Sequence, residues 1–151
     1  MPKKPTANDA QLILQLYDLR REAVMRAARK FMVSEFWPQN YEEFKAVFIG
    51  YGTDHNTYLR QVLTYWDMAC TLALTGALNE ELFYQSNNEP YFLWAKFGEF
   101  MPQARKDSLT PQFGMNWEKL MGRPAGKQRI KMLGERLAAR RAAAAQAGKT
   151  R

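Results

Sequence analysis

The stretch from Tyr58 to Tyr84 constrains the fold more than any other part of this sequence. Its first two thirds carry apolar residues at steps of three and four, the spacing that aligns side chains along one face of an α-helix. The residues of this stripe are Leu59, Val62, Leu63, Trp66, Ala69, Cys70, Ala73 and Leu74. Met68 and Leu72 widen the face. We therefore expect a central buried helix over residues 58–75 that neighbouring helices contact on several sides.

A glycine and an asparagine separate this helix from the next one. Gly76 can adopt the left-handed backbone conformation that ends helices without a Cβ clash, so we expect a positive φ there. Asn79, followed by Glu80 and Glu81, predicts a helix start with a side-chain cap and with carboxylates near the positive end of the helix dipole. The result is a helical hairpin.

The same stretch is not expected to span a membrane. Arg60, Gln61 and Asp67 lie in its first half. The uninterrupted apolar run is far shorter than the roughly 20 residues that a bilayer requires. The sequence therefore predicts no transmembrane segment.

The hairpin resembles one found in a set of small uncharacterised bacterial all-helical proteins. In that set a helix with an aromatic–acidic pair ends at a glycine before a short "LN"-type cap, a W-[DE]…G-x-L-N pattern. The residues that carry the resemblance are Trp66, Asp67, Ala69, Leu72, Gly76, Leu78, Asn79 and Leu82. The resemblance implies an all-helical fold and no activity.

The charge divides the chain into a body and a tail. Residues 1–122 have a net charge of −1 and residues 123–151 a net charge of +8, and all 20 aromatic residues precede residue 118. We predict a disordered leader over residues 1–7, a single all-helical domain over residues 8–122, and a basic Ala/Arg-rich tail over residues 123–151, helical or disordered.

The predicted fold class is all-α, a compact bundle of five to six helices around the central helix. One continuous first helix is expected from about residue 8 to Ser34, with Leu19 in its apolar stripe. In the aromatic-rich helix that follows Pro90, Lys96 is expected to face solvent.

This chain has few residues that could take part in catalysis. His55 and Cys70 are its single histidine and single cysteine, and Cys70 is expected to be buried and inert. The adjacent carboxylates of Glu42 and Glu43 point about 100° apart on a helix, as do other neighbouring residues, and do not converge on a substrate. The sequence predicts a protein that is not an enzyme, with no catalytic residue, metal or cofactor.

Asp67 is the exception that needs an explanation, because it lies in a mostly apolar helix. A buried carboxylate requires a partner, for which Arg20, Arg21 or a tyrosine hydroxyl is available. A structural ion pair or an exposed position is favoured for Asp67. A buried carboxylate among aromatic residues would also be the first place to look for a ligand pocket.

The tail gives the leading functional hypothesis, a non-enzymatic binding or regulatory protein that contacts DNA or RNA without sequence specificity. Its cations supply a counterion-release contribution to binding, and the tail has no base-reading signature. The predicted contact residues are Arg123, Lys127, Arg129, Lys131, Arg136, Arg140 and Arg141.

Two alternatives remain open for the tail. It is either a solubilising extension of a helical module that binds another protein, or an amphipathic helix on an anionic membrane, which its lack of aromatic residues disfavours. The basic amino terminus is not followed by an apolar segment of a signal peptide, so a cytoplasmic location is expected.

Overall fold

The computed structural model describes residues 3–149, and these residues contain helices and no strand. The helices are α1 Ala7–Arg20, α2 Ala23–Lys30, α3 Tyr41–Phe48, α4 Asp54–Leu74, α5 Glu80–Ser86, α6 Glu89–Phe97, α7 Met101–Asp107, α8 Met115–Met121 and α9 Pro124–Lys149. Phe31–Glu35 continue α2 as a π-helix, and Gly98–Phe100 form a 3-10 turn. The all-α prediction is confirmed. The prediction of five to six helices is too low.

Helix α4 lies in the core and contacts α2, α3 and α8. It begins at a cap formed by Thr53, whose hydroxyl accepts a hydrogen bond from the Asn56 amide. Its buried apolar residues are Leu59, Val62, Leu63, Trp66, Ala69, Cys70 and Ala73. Burial also raises the pKa of the Cys70 thiol, so this cysteine is neutral at physiological pH.

The turn after α4 has the predicted geometry. Gly76 has a φ of +80°, which confirms the expected left-handed residue. The Asn79 side chain accepts a hydrogen bond from the Leu82 amide at 2.8 Å and caps α5. The two helices are thus joined by a defined turn and cap.

The first predicted helix is not continuous, and this prediction is wrong. The chain breaks at Arg21 and Glu22, because the Glu22 carboxylate accepts hydrogen bonds from the Val24 and Met25 amides and starts a new helix. Leu19, expected in the apolar stripe, is instead 55% exposed.

The start of the chain is attached to the α4–α5 hairpin. Thr6 and Asp9 form a reciprocal capping box at the start of α1. The buried Asp9 carboxylate also accepts a hydrogen bond from the Asn79 amide at 2.7 Å, and Asn79 donates to the Lys3 carbonyl. Lys3 and Thr6 therefore have defined contacts, and α1 begins inside the predicted 1–7 leader. Residues 1 and 2 lie outside the described residues.

Helix α9 packs against α6 and α8. Leu137 is buried, with 4% of its surface exposed, and Ile130 and Leu133 pack against the core. At Gly126, a Cβ atom would lie 2.6 Å from the Met121 carbonyl oxygen, so α9 approaches α8 too closely for a side chain. The tail was predicted to be helical or disordered, and its residues 124–149 are helical.

Candidate functional site

The seven predicted contact residues of the tail fall into two sets. Three of them contact the body of the protein: Arg123, Arg129 and Arg141. The other four are exposed, and residues 3–149 offer their side chains no hydrogen-bond or ion-pair partner: Lys127, Lys131, Arg136 and Arg140. Only this second set is available to a ligand without breaking a contact within the fold.

Arg129 has a structural role at the end of α5. Its guanidinium donates hydrogen bonds to the carbonyl of Tyr84 at 2.6 Å and to that of Asn87 at 2.9 Å. It also lies 3.6 Å from the centroid of the Tyr84 ring and 4.7 Å from that of Tyr91. Arg129 therefore satisfies carbonyls that the end of α5 leaves unpaired and makes cation–π contacts.

Arg123, just before α9, and Arg141, in its distal part, attach this helix to the body. Arg123 forms an ion pair with Glu80 at the start of α5. Arg141 donates to the Lys96 carbonyl at 2.8 Å and forms a longer ion pair with Glu99 at 3.4 Å. Their side chains fix the position of α9 on the body.

The four remaining cations lie on two flanks of α9. At 3.6 residues per turn, Lys127 and Lys131 fall on one flank, and Arg136 and Arg140 fall about half a turn away on the other. A solvent-facing crest of mostly neutral, exposed residues separates the flanks. The crest consists of Gln128, Met132, Glu135, Ala139 and Ala142.

Asp67, on α4, caps the amino terminus of α8. Its carboxylate accepts a hydrogen bond from the Trp117 amide at 3.1 Å, in the first turn of α8. The partner is therefore a backbone N–H and not Arg20, Arg21 or a tyrosine hydroxyl. A half-buried carboxylate at a helix amino terminus is stabilised by the orphan amides there. This contact accounts for Asp67 without a ligand pocket.

The prediction that Lys96 faces solvent is wrong, because none of its surface is accessible. Its ammonium donates hydrogen bonds to the carbonyls of Met32 at 2.7 Å and Val33 at 3.3 Å, both in the π-helix. It also lies 3.6 Å from the centroid of the Trp37 ring. Carbonyls at the end of a helix and an aromatic face take the place of a carboxylate.

The environment of Lys96 disfavours its charged form. Burial is the main cause, and the nearby guanidinium groups of Arg141 and Arg140 add to it, so the pKa of Lys96 falls to about 7. Two exposed or half-exposed cations of α9 thus lie close to a buried amine.

A second polar cluster ties α2 to α6. Arg29 donates to both carboxylate oxygens of Glu89, at 2.5–3.0 Å, and the Trp66 indole N–H donates to the same carboxylate at 3.1 Å. The Glu89 contact raises the pKa of Arg29. The negative charge of Glu89 is therefore matched inside the fold.

Arg140 lines two open hollows. The first, of about 320 Å³, is lined by Val33, Asn88, Glu89, Phe92 and Arg140. The second, of about 400 Å³, is lined by Ser34, Trp37, Arg140, Ala143 and Ala144. We call these two hollows together the Arg140 groove. It runs between the π-helix, the start of α6 and the distal part of α9.

Other kinds of site have no counterpart in the described part of the chain. Over residues 3–149, His, Cys, Asp and Glu side chains form no cluster of three or more that could hold a metal ion. Within the same residues, each helix is too short or too polar to cross a bilayer.

The model of one protein family matches most of the chain. This family is described as a domain of unknown function, DUF4760, and the match covers residues 5–123. The chain belongs to the DUF4760 family. No curated protein and no solved structure matches it. We expected the chain to belong to a family without an assigned activity, and this general expectation is confirmed.

The DUF4760 match also separates α9 from the rest of the molecule. It ends at Arg123, and α9 begins at Pro124. Six of the seven predicted contact residues therefore lie outside the matched part of this DUF4760 protein, on a helix that packs against it.

Sequence reasoning missed the Arg140 groove and the burial of Lys96. A signal for Lys96 existed, because it stands three residues after Leu93 and four before Phe100, inside the apolar arc of its helix. The groove had no local signal, because its walls come from three segments far apart in the sequence.

Proposed function

We propose that this DUF4760 protein is a non-enzymatic nucleic-acid-binding protein in which α9 contacts phosphates without reading sequence. The observation that carries the proposal is the set of four exposed cations on α9, Lys127, Lys131, Arg136 and Arg140, which have no partner within residues 3–149. The charge contrast supports it, since residues 123–151 have a net charge of +8 and the rest of the chain −1. A cytoplasmic location suits this role.

The two-flank arrangement favours duplex DNA over duplex RNA. An α-helix with its side chains is about 10–12 Å wide, and the DNA major groove is about 12 Å wide. A helix in that groove can place one flank of cations near each phosphate strand. The deep, narrow major groove of A-form RNA does not admit a helix. Ala139 and Ala142, on the distal part of the crest, leave room for close approach to the base edges.

The attachment of α9 to the body lowers the cost of binding. Arg129, Leu137 and Arg141 already hold it as a helix, so no disordered segment has to fold on the nucleic acid. The contact is made by side chains that the fold does not use.

The test compares two variants with the same change in net charge. The first replaces the four α9 cations by glutamine: Lys127→Gln, Lys131→Gln, Arg136→Gln and Arg140→Gln. The control replaces four exposed cations outside α9: Lys4→Gln, Arg26→Gln, Lys106→Gln and Lys119→Gln. Fluorescence anisotropy with unrelated DNA and RNA duplexes measures affinity against salt concentration.

The parent and the control should bind DNA with a slope of log K against log salt near −3.6, from about four phosphate contacts. This slope corresponds to an affinity loss of about 150-fold between 50 and 200 mM salt. The α9 variant should lose this binding. Equal losses in the two variants would mean that net charge and not α9 is responsible, and would overturn the proposal.

A second candidate function is a helical module that binds another protein, with α9 as a solubilising extension. Exposed apolar side chains on α1 favour it, since Leu14, Tyr17 and Leu19 are 66%, 53% and 55% exposed. A parent chain that does not bind DNA even at 50 mM salt would favour this candidate over the first.

A further inference from the structure

We propose that the Arg140 groove binds a small aromatic carboxylate, with the anionic group on Arg140 and the ring on Trp37. This site goes beyond the proposed contact with nucleic acid. It takes a different ligand, and it uses residues of the DUF4760 domain together with α9.

Charge favours an anion in the groove. Arg140 is exposed, and residues 3–149 offer it no carboxylate partner. The one carboxylate that lines the groove, Glu89, already accepts hydrogen bonds from Arg29 and Trp66. Arg140 is therefore the unmatched charge of the groove, and a guanidinium can hold a carboxylate through two parallel hydrogen bonds.

The walls of the groove favour an apolar ligand body. Val33, Phe92, Ala143 and Ala144 contribute apolar surface to the two hollows. The half-exposed ring of Trp37 lines the second hollow, and the Lys96 ammonium lies on it at 3.6 Å from its centroid. The other face of the ring is then the one that an aromatic ligand can stack on.

The size of the groove limits the ligand to a small molecule. Hollows of about 320 and 400 Å³ are at the lower end of the range for ligand sites. Both are open to solvent, so a ligand keeps part of its hydration. We expect a dissociation constant on the order of 0.1–1 mM for a ligand with one ring and one carboxylate.

The test titrates the full chain with 3-phenylpropionate and with its neutral amide, 3-phenylpropionamide. The readout is the indole N–H resonance of Trp37 in ¹H–¹⁵N spectra, assigned from its loss in Trp37→Leu. The carboxylate should shift this resonance in a saturable way. The amide should bind about tenfold more weakly, because it cannot make the charge-assisted contact with Arg140.

Matched variants locate the site. Arg140→Gln should weaken binding of 3-phenylpropionate about tenfold, while Arg136→Gln should leave it unchanged. Arg136 is also exposed and lies one helical turn earlier on the same flank. Equal binding by the acid and the amide, equal effects of the two variants, or no saturable shift would each overturn the proposal.

One further variant distinguishes a failure of the ligand-binding proposal from a failure of the nucleic-acid proposal. A chain with Lys127→Gln, Lys131→Gln and Arg136→Gln keeps Arg140, so it should lose most DNA affinity and still bind 3-phenylpropionate. The opposite result would support DNA binding by Arg140 alone and remove the small-anion site.

Discussion

At the scale of single residues, Lys96 is a fully buried amine whose acceptors are backbone carbonyls. Burial, with Arg141 and Arg140 nearby, lowers its pKa from 10.5 to about 7. Between these two values the unfolded chain holds a proton that the folded chain lacks. The free energy of unfolding therefore rises with pH from about 7 towards 10.5 through this residue. Lys96 acts against stability at lower pH.

We expect Lys96→Met to remove this part of the pH dependence. Methionine keeps most of the apolar stem but has no charge to desolvate. Urea unfolding at pH 7 and pH 9 should show a larger gain in stability for the parent than for the variant. Other titrating groups are common to both chains, so the difference isolates Lys96. An equal gain in both would mean that Lys96 keeps its charge in the folded protein.

At the scale of elements, α9 is a packed part of the fold with four exposed cations on its two flanks. Leu137 lies on the packed face with 4% of its surface exposed, and Met132 lies on the crest with 70% exposed. The same helix therefore offers a buried and an exposed apolar residue for comparison.

We expect Leu137→Ala to lower the free energy of unfolding by about 2–5 kcal/mol, because it removes buried apolar surface and leaves a cavity. Met132→Ala, on the same helix, should change it by less than about 0.5 kcal/mol. Chemical denaturation followed by circular dichroism measures both. A Leu137→Ala variant as stable as Met132→Ala would mean that α9 is detached in solution.

The apolar period of α4 made the buried residues of this helix predictable, and local chemistry made Gly76 and the Asn79 cap predictable. The break before α2 was not predictable, because it depends on the Glu22 side chain accepting hydrogen bonds from the Val24 and Met25 amides. The roles of Arg129 and Asp67 were not predictable from the sequence either. Their hydrogen-bond partners are 42 or more residues away in the sequence, and tertiary contacts alone bring them together.

At the scale of the whole molecule, several carboxylates connect parts of the chain that are far apart in sequence, and three of them show how the helices are joined. Asp9 accepts from the Asn79 amide across 70 residues, and Asp67 accepts from the Trp117 amide across 50. Glu89 accepts from Arg29 across 60. Each connects one helix to the start or side of another, so the bundle is held by directional contacts as well as by its apolar core.

The Glu89 connection is the one of the three that joins two charges, and its exposure is low. The Glu89 side chain is 12% exposed and that of Arg29 is 28% exposed. Because water screens the pair only in part, removing one partner leaves the other charge poorly solvated. The indole N–H of Trp66 would also lose a charged acceptor.

We therefore expect Glu89→Gln to lower the free energy of unfolding by about 1.5–3 kcal/mol, the range for hydrogen bonds to charged groups. Glu42→Gln, at an exposed position at the start of α3, is the control and should change it by less than about 0.5 kcal/mol. A cycle with Arg29→Gln then measures the interaction itself, since the double variant should lose less than the two single losses together. Additive losses would show that Arg29 and Glu89 stabilise the bundle independently, and the link between α2 and α6 would then rest on apolar packing alone.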